Sequence, residues 1–256
     1  MGINNSEKSV NMHHFFVSPS QVGDKFVTIE GNDVNHIKNV LRIKTGEKIL
    51  VSNNNDRDYS CEVIEMNEDN IKARIIEADL TGTEPGCFFY LFQGLPKSDK
   101  MESIIQKSVE LGVFEIIPVE TKRCIVKLDP KKKETKIKRY NLISESAAKQ
   151  SRRSKIPVVK DVMTFKQALE YAKDFDMNII PYENFKDMSS TKKIISEVKV
   201  PMKIGIFIGP EGGFDDSEVS LAQEYGVTQI SLGKRILRTE TAGPAILSVL
   251  MFQTEE

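Results

Sequence analysis

Apolar segments of strand length alternate with amphipathic segments of helical length from Cys87 to the end of the chain. The segments CFFYLFQGL, VFEIIPVE, MNIIPYE, KIGIFIG and VTQISLG predict buried strands, and a helical pattern follows each of them. Strands that alternate with helices form a mostly parallel sheet with helices on both faces, and ligands bind beyond the carboxyl ends of its strands. The pattern therefore predicts an α/β domain with a ligand site at one edge of the sheet.

A second, smaller domain is predicted before this region. The segments KFVTIEG, EKILVSN, YSCEVIEMN and IKARIIEA alternate apolar and polar residues between polar clusters, which is typical of a small antiparallel barrel. One helical pattern, DVNHIKNVLRI, interrupts them, with Asp33 placed to cap it. We expect a polar extension over residues 1–11, a β-barrel over 12–80, the linker TGTEPG over 81–86 and the α/β domain over 87–256.

Two predicted helices carry clear boundary signals. In SDKMESIIQKSVELG, Ser98 or Asp99 is placed to cap the helix and Gly112 to end it. In DDSEVSLAQEYG, Asp215 and Glu218 have the spacing of a capping box.

Three predicted strands end in loops that would meet at the ligand edge. PYEN follows a strand ending at Ile180, GPEGGF follows one ending at Ile208, and GKRILRTETAGP follows one ending at Leu232. Glycines in the second loop allow the backbone to approach a ligand closely. Their spacing matches neither the dinucleotide fingerprint G-x-G-x-x-G nor the phosphate-binding loop G-x-x-x-x-G-K-[ST]. The two commonest nucleotide-binding loops are therefore excluded.

The segment LRTETAGP has two interpretations. In the structural one, Thr239 or Thr241 caps the last helix, Pro244 lies in its first turn, and Arg238 pairs with Glu240. In the functional one, the same segment is a ligand loop.

Basic residues are concentrated in one part of a chain whose net charge is only −1. Residues 122–155 contain 13 Lys or Arg and 3 Asp or Glu, a local balance of +10 that leaves −11 elsewhere. This asymmetry fits a surface that faces a polyanion. A solvated helix face with a basic loop explains it equally well.

Several classes of protein are disfavoured by the sequence. No apolar run is long enough to span a bilayer, and the N-terminal residues lack the pattern of an export signal, so we expect a cytoplasmic protein. Cys61, Cys87 and Cys124 are far apart, and the three histidines have no acidic or cysteine partner at ligand spacing. We expect no metal.

The pair IGPEGGFDDSE and LGKRILRTETA resembles the signature of the RsmE family of 16S ribosomal RNA uridine-N3 methyltransferases, within the SPOUT superfamily. MHHFFV, KMESIIQKSVELGV, PVETKRCIVK and SESAAKQSRRSKIP resemble other blocks of that family, so the resemblance extends from Met12 over nearly the whole chain. It implies a PUA-like β-barrel that binds RNA and an α/β domain with a trefoil knot that holds S-adenosylmethionine. It also implies a homodimer whose pocket the second subunit completes. The family commonly has Arg where this chain has His14.

The resemblance implies particular site residues. Arg238 would stabilise the negative charge on uracil as N3 loses its proton, and Glu240 or Glu211 would be the base or a structural carboxylate. The cofactor pocket would be lined by Pro181, Tyr182, Gly209, Pro210, Glu211, Gly212, Leu232, Gly233, Ile236, Leu237 and Arg238. RNA would be held by Arg42, Lys97, Lys100, Arg123, Lys127, Arg152 and Arg153.

The implied function is methylation of N3 of one uridine in 16S ribosomal RNA, either naked or within the small ribosomal subunit. Two alternatives remain. The first is a SPOUT methyltransferase that acts on a different RNA, and the second is a catalytically inactive relative that only binds RNA.

Overall fold

The computed structural model describes residues 12–55, 57–79 and 82–255, and the chain divides into two units. The first contains residues up to Thr83 together with Arg152–Lys155, and the second contains Glu84–Ser151 and Ile156–Glu256. The predicted N-terminal extension lies outside the described residues. No sequence pattern predicts that Arg152–Lys155 groups with the first unit.

The first unit is built on a five-stranded sheet of order β1-β3-β4-β5-β2. All four predicted strands are confirmed and pair in antiparallel fashion, but β1 was not predicted, and it pairs with β3 in parallel. The two ladders β3–β4 and β4–β5 place apolar residues on one face, where Ile49, Val51 and Val63 are fully buried. The strands are β1 (His14–Phe16), β2 (Phe26–Glu30), β3 (Lys48–Ser52), β4 (Asp58–Met66) and β5 (Asn70–Asp79).

The helix of the first unit begins differently from the prediction. Helix α1 (Asn32–Asn35) continues as a π-helical turn, His36–Val40. Gly31 occupies the N-cap position with φ 72°, and Asp33 lies in the first turn. The predicted cap at Asp33 is therefore wrong, because the chain enters the helix through a left-handed residue, a conformation that glycine adopts without steric cost.

His14 belongs to a buried polar cluster in the first unit. Its Nε2 lies 2.6 Å from Ser52 Oγ, and the Ser52 hydroxyl donates to Asp58. The Ser154 hydroxyl donates to the other oxygen of Asp58 at 2.6 Å. His14 is only 6% exposed, so the residue that departs from the family pattern has an internal structural role.

The second unit is the predicted α/β domain. All of its strand pairs are parallel, in the order β12-β10-β11-β6-β7-β8, and β9 pairs with β7. The two-residue strands β8 and β9 were not predicted. The strands are β6 (Phe88–Gly94), β7 (Val113–Glu120), β8 (Val158–Val159), β9 (Met163–Thr164), β10 (Met177–Pro181), β11 (Lys203–Ile208) and β12 (Thr228–Ile230).

Helices cover both faces of this sheet, as predicted. Phe92 packs in a cluster with Phe165 of α4 and Val219 of α6, whereas the neighbouring Leu91 faces Gly243 of α7. Adjacent residues of a strand point to opposite faces, so α4 and α6 lie on one side and α7 lies on the other. The helices are α2 (Lys100–Glu110), α3 (Pro130–Ser151), α4 (Phe165–Ala172), α5 (Met188–Ser196), α6 (Asp216–Glu224) and α7 (Thr239–Thr254).

Stacked aromatic rings fill the core on the α4 side. The rings of Phe92 and Phe207 are 4.4 Å apart and nearly parallel, and both residues are 1% exposed. Phe165 meets Phe207 edge to face at 6.2 Å. These contacts fix β6 against β11, the strand that leads into the glycine-rich loop.

The predicted helix boundaries are partly confirmed. Gly112, with φ 85°, follows α2, and Asp215 and Glu218 form the capping box of α6. Asp99 stands at the N-cap position of α2 but makes no side-chain capping bond, and Ser98 adopts φ 56° before it. Strand order alone does not establish whether the chain threads through itself, so the trefoil knot stays a prediction.

Candidate functional site

A cavity of about 680 Å³ opens at the carboxyl ends of β10, β11 and β12. These three strands are neighbours in the sheet, so the loops that follow them meet at one edge, as the sequence predicted. The cavity is lined by residues of these three loops and of α7, together with Lys100 of α2, Met188 of α5 and the last residues of β10 and β11. They are Lys100, Pro181, Tyr182, Glu183, Phe185, Lys186, Met188, Ile208, Gly209, Pro210, Glu211, Gly213, Phe214, Ser231, Leu232, Gly233, Lys234, Arg235, Ile236, Leu237, Arg238, Thr239 and Ala242.

Ten of the eleven residues predicted for the cofactor pocket line this cavity. The exception is Gly212, whose carbonyl accepts a hydrogen bond from Arg123 Nη1 at 3.0 Å. Its neighbour Gly213 lines the cavity instead. Lys186, Lys234 and Arg235 also line the cavity, although they were not predicted to do so. They lie in the loops that follow β10 and β12, and this position is the sequence signal that could have identified them.

The loop GPEGGF folds back on itself so tightly that its first glycine has no room for a side chain. A Cβ on Gly209 would lie 2.9 Å from the carbonyl carbon of Gly213. Gly213 adopts φ 66°, and its N–H donates to the carbonyl of Pro210 at 2.9 Å. The glycines are therefore required by the loop itself, and the loop presents main-chain groups to the cavity.

A buried hydrogen-bond chain joins this loop to α7 and β6. The Thr239 hydroxyl donates to the Gly209 carbonyl at 2.6 Å, and the Gln93 side-chain amide donates to the Thr239 hydroxyl at 2.9 Å. Gln93 is fully buried and Thr239 is 5% exposed. Gln93 was not predicted as a site residue, because it stands inside an apolar strand with no motif around it.

The predicted start of α7 needs correction. Arg238 occupies the N-cap position without a side-chain capping bond, so neither Thr239 nor Thr241 caps the helix. The Thr239 hydroxyl is already used by the Gly209 carbonyl. Pro244 lies inside the helix and not in its first turn, because α7 begins at Thr239.

Lys100 bridges the two candidate carboxylates. Its Nζ lies 3.1 Å from Glu211 Oε1 and 3.3 Å from Glu240 Oε2. Glu211 also accepts the backbone N–H of Lys97 at 3.1 Å. The predicted ion pair between Arg238 and Glu240 is replaced by this bridge, which ties the start of α2 to the glycine-rich loop and to the first turn of α7.

The bridge affects the protonation of both carboxylates. The backbone N–H of Glu240 itself, followed by Lys100, holds the pKa of the Glu240 carboxyl below its ordinary value. Burial raises the pKa of Glu211, but its own backbone N–H, Lys100 and the N–H of Lys97 outweigh burial and lower it. Lys100 in turn has a raised pKa, chiefly through its hydrogen bond with Glu211. All three groups are therefore charged at neutral pH.

Tyr182 connects the loop after β10 to α6. Its hydroxyl donates to Asp216 Oδ1 at 2.5 Å, and Asn184 donates to the same hydroxyl at 3.0 Å. The hydrogen bond to Asp216 raises the pKa of Tyr182. The phenol is thus a neutral wall of the cavity.

The residues predicted to contact RNA lie in different environments. Arg42 and Arg152 are exposed in the first unit, and Lys127 is exposed in the second. Arg153 is only 4% exposed, so an RNA contact through its side chain is not supported, because a buried guanidinium presents no surface to a phosphate. Arg123 already holds the Gly212 carbonyl and lies 3.6 Å from Asp215.

Many cations of the basic segment are paired with acids. Within α3, Lys138 pairs with Glu134 at 2.7 Å and Lys149 with Glu145 at 2.9 Å. Arg139 reaches Glu102 of α2 at 2.7 Å. The interpretation as a solvated helix face therefore explains part of the charge asymmetry.

Among residues 12–55, 57–79 and 82–255, no group of three or more His, Cys, Asp or Glu side chains is arranged to hold a metal ion. The helices in these ranges are all too short or too polar to cross a membrane.

Comparisons with known proteins match both units. Residues 84–251 match the model of an RNA methyltransferase domain, and residues 29–76 match that of an RNA methyltransferase PUA domain. Ribosomal RNA small subunit methyltransferase E of Bacillus subtilis is 39% identical over 232 residues, which cover 89% of this chain and 90% of that protein.

Two solved structures are similar over nearly their full length. A ribosomal RNA small subunit methyltransferase E from Neisseria gonorrhoeae, bound to S-adenosylmethionine, has a TM-score of 0.80 and 29% identity, covering 94% of this chain and 97% of its own. A putative methyltransferase from Legionella pneumophila, with S-adenosylmethionine bound, has a TM-score of 0.83 and 28% identity, covering 95% of this chain and 98% of its own.

The tight turn at Gly209 leads to a stability prediction. We expect Gly209→Ala to lower the free energy of unfolding by roughly 1–3 kcal/mol, because the new methyl group would collide with backbone that cannot move without opening the loop. Urea denaturation followed by circular dichroism measures this change. Gly243→Ala is the control, since its Cβ would meet Leu91 at an ordinary 3.5 Å. Equal stabilities of the two variants would contradict the prediction.

Proposed function

This chain belongs to the RNA methyltransferase family of ribosomal RNA small subunit methyltransferase E, and we propose that it transfers a methyl group from S-adenosylmethionine to N3 of one uridine in 16S ribosomal RNA. The observation that carries the proposal is the cavity at the ends of β10, β11 and β12, with its glycine-rich wall. The relatives named above support the cofactor and the RNA.

The residues present fit S-adenosylmethionine. A cavity of about 680 Å³ has the size of a small-molecule site, and its apolar residues Leu232, Ile236 and Leu237 suit an adenine ring. The main-chain groups of residues 209–213 suit a ligand without phosphates. When bound, this cofactor supplies a methyl group that its sulfonium already activates. We propose that Pro181, Tyr182, Gly209, Pro210, Glu211, Leu232, Gly233, Ile236, Leu237 and Arg238 hold it.

Arg238 is the residue we assign to charge stabilisation. It lines the cavity, its side chain is exposed, and within the described residues it makes no ion pair. Loss of the N3 proton places negative charge on the uracil oxygens, and an unneutralised guanidinium stabilises such charge most effectively. The protein otherwise needs to orient the base toward the methyl group.

We assign Glu211 and Glu240 a structural role, in which their ion pairs with Lys100 hold the cavity wall together. A carboxylate whose pKa is lowered is a weaker proton acceptor, and both carboxylates are already paired with Lys100. Their position suits them to hold the glycine-rich loop beside the start of α7.

RNA contacts by Arg42, Lys97, Lys127 and Arg152 stay part of the proposal, because these residues are exposed. The homodimer also stays part of it. Two apolar side chains of α7 support a partner surface, since Val249 is 49% exposed and Phe252 is 86% exposed.

The function is tested by product analysis. The protein is incubated with methyl-labelled S-adenosylmethionine and small ribosomal subunits that lack this modification, and the digested RNA is analysed by mass spectrometry. We expect N3-methyluridine at a single site in 16S ribosomal RNA. Label in another nucleoside would contradict the uridine assignment, and cofactor binding without any label would favour a different RNA or an inactive relative.

Substitution of Arg238 tests its role in the chemistry. We expect Arg238→Ala to lower kcat for methylation by about 10²-fold, because the charge on uracil loses its stabilising partner. Lys173→Ala, which removes an exposed cation paired with Glu170 on α4, should keep the wild-type rate. If Arg238→Ala binds cofactor and RNA normally and also methylates at the wild-type rate, the assignment is wrong.

Substitution of Lys100 tests the brace, that is, the ion pairs of Lys100 with Glu211 and Glu240. We expect Lys100→Met to raise the Kd for S-adenosylmethionine about fivefold, because the glycine-rich loop and the start of α7 lose their common ion-pair partner. Isothermal titration calorimetry measures this, with Lys107→Met on the same helix as the control. An unchanged cofactor Kd with weaker RNA binding would show that Lys100 contacts RNA instead.

The brace also has a pH dependence. Groups with lowered pKa keep their interaction above the ordinary carboxyl pKa and lose it as the pH falls through the lowered value. In Lys100→Met this ion pair is already absent, so protonation of Glu211 and Glu240 has no ion pair left to break. The cofactor Kd of the wild type, measured by calorimetry, should therefore rise toward that of the variant as the pH falls through the lowered pKa values.

A further inference from the structure

Four cations line the cavity and make no ion pair within the described residues. They are Lys186, Lys234, Arg235 and Arg238, and of these Arg238 lies close enough to Glu240 to help lower the pKa of that carboxyl. Several cations elsewhere are paired, since Lys122, Lys133 and Arg139 each lie within 4.0 Å of a carboxylate. The cavity therefore concentrates positive charge that the protein does not neutralise.

The cofactor does not neutralise this charge either. Two carboxylates line the cavity, and one of them, Glu211, is paired with Lys100. Glu183 thus stands alone against four cations. S-adenosylmethionine is itself a net cation, because it has a sulfonium, an ammonium and a single carboxylate. Its carboxylate occupies one cation at most, so cations remain available to an anionic ligand of several charges.

The backbone turn at Gly233 leaves Lys234 and Arg235 exposed to solvent. Gly233 turns the chain with φ 105°, and the three residues after it are exposed. Two adjacent exposed cations suit a single nucleic-acid strand, in which phosphates pair with Lys or Arg.

We propose that Lys186, Lys234 and Arg235 form a phosphate-binding site for the RNA strand that flanks the target nucleotide. The inference rests on the proposed function and extends it to residues outside the basic segment 122–155. Held by these contacts, the strand delivers its unstacked base into the cavity beside Arg238. The three cations then supply affinity and position, and Arg238 supplies charge stabilisation.

The experiment compares two double variants of equal charge change in the full-length protein. Lys234→Gln with Arg235→Gln removes two cations of the proposed site. Lys192→Gln with Lys193→Gln removes two exposed cations from α5 that do not line the cavity. Binding of 16S ribosomal RNA is measured by filter retention over a series of salt concentrations, and cofactor binding is measured by calorimetry. Thermal unfolding shows whether each variant is folded.

We expect the first variant to raise the RNA Kd about tenfold. The slope of log Kd against log salt concentration should fall by roughly 1 to 2, because each lost phosphate contact removes nearly one released counterion. Its cofactor Kd should stay within about twofold, and the control should match the wild type. Neither readout requires methylation, so failure of the uridine assignment is detected separately by the product analysis.

Three results would overturn the inference. A weaker cofactor Kd with unchanged RNA binding would show that these cations hold the cofactor carboxylate. A change in oligomeric state by light scattering, with unchanged RNA binding, would show that they face a second copy of the chain. An equal loss of RNA affinity in both double variants would show a diffuse electrostatic effect without a site. If the first variant does not fold, Lys186→Gln tests the same prediction with one lost contact.

Discussion

Close approach of backbone to backbone at Gly209 is the constraint on which the cavity depends. The turn from Gly209 to Gly213 leaves no space for a Cβ on Gly209, and Gly94 at the end of β6 is equally restricted, since a Cβ there would lie 2.6 Å from Pro210 Cδ. The strand order of the parallel sheet brings the loops to one edge, but the missing side chains allow them to touch. A wall made of main-chain groups is the result, and such a wall suits a ligand that has no phosphate.

Buried polar contacts then hold this wall in place. Thr239 and Gln93 fix the Gly209 carbonyl from inside, and Lys100 joins Glu211 to Glu240 nearer the surface. The internal chain is neutral and fully shielded, so salt and pH have little effect on it. The Lys100 bridge is charged and partly exposed, so it is the weaker and more adjustable contact. Together they connect β6, α2, the glycine-rich loop and α7 around one cavity.

Elements that depend on local sequence pattern are predicted correctly, whereas contacts between residues far apart in the chain are missed. Strand β7 was predicted with its observed bounds because most of its residues are apolar, and the meeting of three loops followed from the parallel sheet. Strands β8 and β9 have two residues each, too few for any periodicity. Gln93 and Lys100 act through partners more than a hundred residues away, which no spacing rule reveals.

The distribution of charge shows the same difference between sequence and fold, and this difference matters for RNA binding. The count of Lys and Arg is highest in residues 122–155, but a count ignores the acids that folding brings beside them. The field that attracts a polyanion depends on the charge left after pairing, and pairing is largely complete along much of α3. At the cavity, Lys186, Lys234, Arg235 and Arg238 make no ion pair within the described residues, so their charge stays available to an anionic ligand. An anionic strand is therefore drawn to the cavity more strongly than the linear charge count suggests.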